Sequence, residues 1–453
     1  MQMQQDIDTH ISAFRHYLLK KDEGAKPPYL DVYDVEDMFH ELLKTDEVEV
    51  AQELLSYARS LHPDELLFDQ LLIELMLEQG EASEALRLLR KYPDQNDLMI
   101  DNYYISAYAQ LGKIKLARSY ADKLCKRDDF DPTDGYYNIG VSFQEADMME
   151  DALHYYLLAE KYDTSAEIYS DIAHCYMMLE DEDNAIAYID KSIKINPFSD
   201  TLWLEKADMC MTFKRPADVL KASEYAIAIN PEEERAWFYK LGAQLLLGQE
   251  AEAETTAQYI LSHFDIDGSH YSLIAGIYAD SEKYDEAYEY YLKSEELPTE
   301  NPIFAELYCK TLLNTKHYQQ LIDFVSANEH LVELNEAILG LSVDAYRELG
   351  QLDKAAELCN RHQDLFSAKI ALSGIYIDTG QTGKALELAQ SNLRENESTV
   401  TYIFAAEAAW YDKQEQLSRE YLKKASKYSD ESLKIAHIVC SEMVETLFPD
   451  YKP

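Results

Sequence analysis

Cysteine is scarce. Six occur in 453 residues, Cys125, Cys175, Cys210, Cys309, Cys359 and Cys440, and none forms a CxxC pair. So long and cysteine-poor a chain argues against a disulfide framework. Cys175, Cys210, Cys309 and Cys359 lie inside helical apolar patterns, as buried free thiols do. The expectation is an intracellular, cytoplasmic protein, in which the sequon Asn396-Glu397-Ser398 has no meaning. Glycine (14) and proline (12) are few as well, which suits helices joined by short turns. A run of about 18 apolar residues is missing, so no transmembrane helix is expected. The opening MQMQQDIDTHISAFRHYLLKK has no apolar h-region, so no secretory signal is expected.

Basic residues are also short. Lys and Arg number 41 against 85 Asp and Glu, a formal net charge of −44. Nothing supplies the basic footprint that a phosphate backbone requires, which excludes nucleic-acid binding as a main task. The acidic residues are scattered through the chain; one reading is that they keep a long array soluble, the other that they attract a basic partner. The apolar fraction, 47%, is ample for a core and excludes global disorder.

Signals for chemistry are missing too. There is no GxxxxGK[ST]; Gly135 and Gly140 have helical spacing and lack the lysine that cradles a phosphate. No HExxH or GxSxG occurs. His174 and Cys175 are adjacent, so on a helix their side chains diverge by about 100°. Acidic pairs such as Glu295-Glu296 read as a solvated face. No catalytic residue, metal or cofactor is expected.

What is present is periodicity. In Glu167 to Ser199, EIYSDIAHCYMMLEDEDNAIAYIDKSIKINPFS, the residues Tyr169, Ile172, Ala173 and Tyr176 share one helical face. An acidic turn follows, Glu180-Asp181-Glu182-Asp183. Ala185, Ile189 and Ser192 then mark one face of a second helix, and Pro197 closes it. Ala173 and Ala185 are small enough to let the two helices approach to about 8–10 Å. The phrase spans about 34 residues and recurs along nearly the whole chain. One hairpin cannot bury its apolar face alone, so the units must stack.

In order, residues 1–31 are an N-terminal helix and linker, with Ile7, Ile11, Phe14 and Leu18 on one face and a break from Gly24 to Pro28. Units follow at 32–65, at 69–97 (shortened, ending at Pro93), at 98–132, at 133–166 and at 167–199. Further units lie at 200–233, 234–267, 268–301, 302–335 (with Leu321 in place of the second small residue), 336–365, 366–398 and 399–430. Tyr108, Tyr176, Tyr278, Tyr346 and Tyr376 occupy a recurring core position. Residues 431–453 are a capping helix, Glu431 to Leu447, and a tail. Ala436, Val439, Met443 and Leu447 share one side of that helix. The fold class is all-α, an α-solenoid of about twelve helix hairpins.

The small-residue, aromatic and proline spacing of residues 32–430 resembles the tetratricopeptide repeat family, and in its acidity and lack of other domains the chain is similar to soluble bacterial multi-repeat members. That resemblance implies a right-handed superhelix whose concave surface, lined by the first helix of each hairpin, takes proteins or peptides. Carried over unit by unit, it implies groove positions at Asn102 and Tyr103; Tyr137, Asn138 and Gln144; Ser170, Asp171, His174 and Met177; Glu205, Asp208 and Met211; and Arg235, Phe238 and Tyr239. Members that hold chaperone C-termini use a clamp of Lys, Asn and Arg. No consecutive units reproduce it here, and Glu205 and Asp208 have the wrong sign for a carboxylate ligand.

The function expected is therefore a non-enzymatic scaffold or adaptor whose groove, between about residues 134 and 242, binds a basic or mixed-charge segment with apolar anchors. The alternatives are a regulatory sensor that closes around a peptide, and an enzyme whose site carries no recognisable motif.

Overall fold

A computed structural model describes residues 2–20, 28–45, 47–63, 65–92, 97–264, 268–294, 297–299, 301–426, 431–449 and 451. The break expected at Gly24, the proline at Pro93 and the pair Glu295-Glu296 lie outside the described residues. Among the described residues there are 28 α-helices and no strand. They divide into two compact units, Met1–Arg215 and Pro216–Pro453.

The first unit opens with α1 (Gln2–Lys20). Hairpins follow: α2 (Val32–Lys44) with α3 (Val48–Leu61), α4 (Leu66–Glu78) with α5 (Ala82–Leu89), and α6 (Leu98–Gln110) with α7 (Ile114–Leu124). Next come α8 (Pro132–Gln144) with α9 (Met149–Ala159) and α10 (Ala166–Met178) with α11 (Glu182–Ile195). The unit ends on α12 (Asp200–Thr212). The second unit opens on α13 (Pro216–Ile229). It continues with α14 (Glu234–Leu246) and α15 (Glu250–His263), α16 (Gly268–Asp280) and α17 (Tyr284–Tyr291), and α18 (Pro302–Asn314) and α19 (Tyr318–Ala327). After the short α20 (His330–Leu334) come α21 (Ala337–Glu348) and α22 (Leu352–Arg361), α23 (Phe366–Asp378) and α24 (Thr382–Glu395), and α25 (Thr399–Tyr411) and α26 (Glu415–Ala425). The chain closes on α27 (Ser432–Val439) and α28 (Ser441–Leu447).

The first helices begin where the sequence offers a side-chain acceptor. Asp31, Asp97, Asp131, Ser165, Ser199, Asn301 and Ser398 each accept a backbone N–H in the first turn of α2, α6, α8, α10, α12, α18 and α25. That satisfies donors the helix itself cannot. The turns that follow the first helices are equally regular. Gly80, Gly112, Gly248, Gly350 and Gly380 have positive φ, and so do Asp147, Glu180, Lys214, Glu282, Lys316 and Lys413. Each sits between two successive helices. The residue after it donates its N–H back across the turn, as in Lys113 to Tyr108 O at 2.8 Å and Asp181 to Tyr176 O at 2.9 Å. This left-handed closure satisfies the last carbonyls of the first helix and sends the chain back along it.

Packing follows from the small residues. Ala173 and Ala185 are fully buried, as the spacing predicts for a helix crossing. At Gly140 a Cβ would lie 2.6 Å from the Tyr156 ring, so only glycine admits that ring. The recurring tyrosine position needs correction. Tyr278 and Tyr346 are buried, whereas Tyr108, Tyr176 and Tyr376 are half-buried; what all five share is the carbonyl that closes the turn, accepting from Lys113, Asp181, Lys283, Gln351 and Gln381.

Two elements differ from expectation. Residues 431–447 are two helices broken at Cys440, whose backbone is extended (φ −151, ψ 93). The break lets Ala436, Met443, Val444 and Leu447 all enter the same core. The unit at 302–335 carries the extra helix α20. Its Leu331 and Val332 are buried, and Asn335 Nδ2 donates to Glu306 Oε2 at 2.7 Å, anchoring the segment to α18.

The left-handed turns make a direct test. A Cβ at Gly112 would meet nothing within 4 Å, so Gly112→Ala should cost only the backbone term, about 1 kcal/mol, in a urea melt. Lys316→Gly should shift the melt the other way, by a smaller amount because glycine also frees the unfolded chain. Ala185→Leu should overpack its crossing and cost about 1–3 kcal/mol.

Candidate partner-binding face

Counting back from the left-handed residue puts the eleven hairpins that carry one among the described residues in a common register. Tyr103, Asn138, Asp171 and Glu205 then fall at one position of the first helix, and Asn102, Tyr137 and Ser170 at the position before it. The two rows meet between hairpins. Tyr137 Oη donates to Asp171 Oδ2 at 2.9 Å, and Ser170 Oγ donates to Glu205 Oε2. The same contact is thus made twice in succession, each time from a neutral hydroxyl to a carboxylate on the next hairpin. Tyr137 also packs against Tyr156, ring centroids 5.6 Å apart, and the Tyr156 hydroxyl is held by Gln144 at 2.7 Å. The ladder ends toward the N-terminus because its acceptor row becomes Asn138, which is exposed, and Asn102 keeps an enclosed Oδ1 with no hydrogen-bond partner among the described residues.

The charges on this face are poorly hydrated. Burial raises the Asp171 carboxyl above the usual range; the Tyr137 hydrogen bond opposes that, Glu205 adds to it, and His174 opposes it. Burial and the Asp171 charge push the Tyr137 hydroxyl up strongly. His174 lies one turn beyond Ser170 with its Nδ1 enclosed and unpartnered. Asp208, in the His174 row, is exposed. Of the remaining positions implied by resemblance, Arg235 and Tyr239 belong to the second unit, Arg235 exposed and Tyr239 half-buried.

Four functional candidates of the first unit escape the sequence reading. Glu74 shares the row of His174 and Asp208, while Glu78 and Glu145 share a row with Gln110 between them. Glu74 is half-buried; Glu78 and Glu145 reach solvent, yet the helices around them displace enough water for burial to raise all three carboxyls. Glu78 and Glu74 raise Glu145 further, Glu78 and Glu36 add to the rise at Glu74, and His40 opposes it at both Glu74 and Glu78, joined at Glu74 by the Tyr103 hydrogen bond. Tyr103 Oη reaches Glu74 Oε2 at 3.4 Å, and Gln110 Oε1 is enclosed without a partner. No Lys or Arg among the described residues forms an ion pair with Glu74, Glu78 or Glu145. The register of the turns was the signal that could have found Glu74, since it puts that residue in a row already singled out.

The cysteines offer no nucleophile on this face. All six are free, and five are buried. Burial pushes the thiols of Cys175 and Cys309 up to about 12 and those of Cys125 and Cys359 up to about 11, so they stay protonated at neutral pH.

Stacked hairpins in a common register define an α-solenoid repeat protein. The profile of the tetratricopeptide repeat matches residues 166–199 and 271–301, which are the hairpins α10–α11 and α16–α17, and the repeated hairpins are consistent with a multi-repeat tetratricopeptide protein. No curated protein sequence gives a significant match. Among solved structures, the chain is similar to the pentatricopeptide repeat protein PPR10 from maize, at 13% identity over 96% of this chain and 72% of that one, TM-score 0.47. It is similar to a tetratricopeptide repeat protein from Parabacteroides merdae, at 16% identity over 62% and 98%, TM-score 0.38. A third similarity is to YrrB, a tetratricopeptide protein with an unusual peptide-binding site, at 17% identity over 41% and 95%, TM-score 0.32.

The repeated contact is open to measurement. Tyr137→Phe keeps the ring against Tyr156 and removes only the bond to Asp171, so chemical denaturation should show a loss of about 1.5 kcal/mol, as for a hydrogen bond to a charged group. Ser170→Ala should do the same one hairpin further on. A loss in neither variant would mean that these hydroxyls face water instead.

Proposed function

We propose that the protein is a non-catalytic scaffold that binds a partner protein or peptide on the first-helix face of its first unit, and that the bound segment is cationic or of mixed charge with apolar anchors. The observation that carries this is the group Glu74, Glu78 and Glu145, whose carboxyls burial raises and which have no lysine or arginine ion-pair partner among the described residues. A lysine or arginine side chain from a partner supplies the missing charge where water is already partly excluded, which strengthens the pairing. Asp171 and Glu205 extend the same polarity along the hairpins, and the half-buried Tyr137, backed by the buried Tyr156, provides rigid aromatic surface for an apolar anchor. A net charge of −44 steers cations to this face and repels a phosphate backbone. The buried thiols fit residence in the bacterial cytoplasm.

The test uses labelled peptides carrying Lys or Arg beside aromatic or aliphatic residues, with acidic peptides of matched length as controls. Basic peptides should bind and acidic ones should not. Glu74→Lys combined with Glu205→Lys should weaken binding at least about tenfold and flatten its salt dependence. Tyr137→Ala should act mainly by raising the dissociation rate. Equal binding of both peptide classes, or an unchanged affinity in the charge-reversed protein, would place the partner elsewhere.

A further inference from the structure

In the second unit, the register set by Gly350, Gly380 and Lys413 puts Asp344 of α21, Gly374 of α23 and Glu407 of α25 at one position of their first helices. The middle member has no side chain, and Arg347 occupies the gap. A Cβ on Gly374 would lie 2.5 Å from Arg347 Nη2. Arg347 Nε donates to Asp378 Oδ2 at 2.9 Å, and its Nη1 donates to Asp344 Oδ1 at 3.3 Å. Glu407 is half-buried and makes no hydrogen bond or ion pair with a described residue. Its helix is apolar around it: Ile403, Ala405, Ala406, Ala408 and Ala409 are all buried. Beyond Arg347 and Asp378, the titratable groups facing it are Tyr411 on its own helix and Cys440 at the start of α28, with Glu442 beside them.

Three carboxylates thus share one guanidinium. Two of them already hold its N–H groups, and the third, the one with least access to water, has no partner of its own. Ionised, Glu407 adds an uncompensated charge to an apolar helix face; protonated, it adds none.

We propose that Glu407 is a proton-operated clasp for the C-terminal hairpin α25–α26, which packs against α23 and α24 while Glu407 is protonated and loosens when it ionises. The clasp governs how the last first-helix positions of the second unit are presented, and it needs no ligand.

Burial holds the Glu407 carboxyl up at about 7 against an ordinary 4.5, with Arg347 opposing the rise and Asp378 adding to it. An acid raised in the folded state contributes stability that is complete below 4.5 and is lost as the pH climbs through about 7. Where opening returns Glu407 to water, the opening equilibrium therefore grows about tenfold between about pH 6 and pH 8.

Hydrogen exchange on the full chain, corrected for the intrinsic pH dependence of exchange, reads this directly. The backbone of α25 and α26 should lose protection about tenfold across that interval, while α13 stays constant. Glu407→Gln, which keeps the shape and cannot ionise, should hold α25–α26 protected at both ends. Should that variant fold poorly, two others carry the test in opposite directions. Asp378→Asn removes a repelling charge and should move the midpoint to lower pH, and Arg347→Met removes the attracting one and should move it higher. Protection that does not change with pH in the unaltered protein, a pH response that survives Glu407→Gln, or midpoints that move together in the other two variants would overturn the proposal.

Discussion

A left-handed residue between paired helices is the constraint on which the rest of the structure depends. Helices of thirteen or fourteen residues, such as α10 and α11, are marginal on their own in water. Closing the first helix with an N–H carried back across the turn fixes where it stops and returns the chain along its own flank. Five of these turns use glycine and six use Asp, Glu or Lys. The charged ones accept a backbone cost because the tight return brings the small residues of the two helices into contact. From that return follow the approach of Ala173 and Ala185, the seat of the Tyr156 ring on Gly140, and the alignment of every later row.

Alignment has a consequence for charge. Once hairpins stack in register, side chains at one position form a column, and in so acidic a chain a column readily becomes a line of carboxylates. The two units answer this differently. In the first, neutral hydroxyls of one hairpin, Tyr137 and Ser170, donate to carboxylates of the next, and further along the face Glu74, Glu78 and Glu145 have no lysine or arginine ion-pair partner among the described residues. In the second, a glycine interrupts the column and an arginine lies across the gap, held by Asp344 and Asp378. The first arrangement leaves a cationic requirement that an outside partner meets. The second closes most of that requirement internally and leaves Glu407 as the remainder.

Much of the fold is legible in the sequence because its determinants are local. An N-cap such as Asp131 or Ser165 needs only the next three residues, a turn such as Gly112 needs only its own φ, and the alternation of large and small residues marks a face without knowledge of what covers it. The single helix expected at 431–447 fails for a matching reason: its periodicity is continuous, and the kink at Cys440 comes from what the end of the array packs against. Within the candidate face, Ser170, Asp171 and Glu205 were legible by resemblance. Glu74 and Glu78 were not, because a lone acidic residue in an acidic chain looks like any other until the register places it.

By itself the sequence determined an all-α repeat protein, the length and caps of its helices and the rows of small residues along them, since each of these follows from interactions within one or two turns of chain. The tertiary structure alone decided which side chains meet across hairpins: that the Tyr137 hydroxyl reaches Asp171, that Ser170 reaches Glu205, that Arg347 crosses Gly374, and that Glu407 is left over. Those contacts join residues about one repeat apart. Their energies depend on how much water the intervening helices remove, a quantity that no local pattern contains.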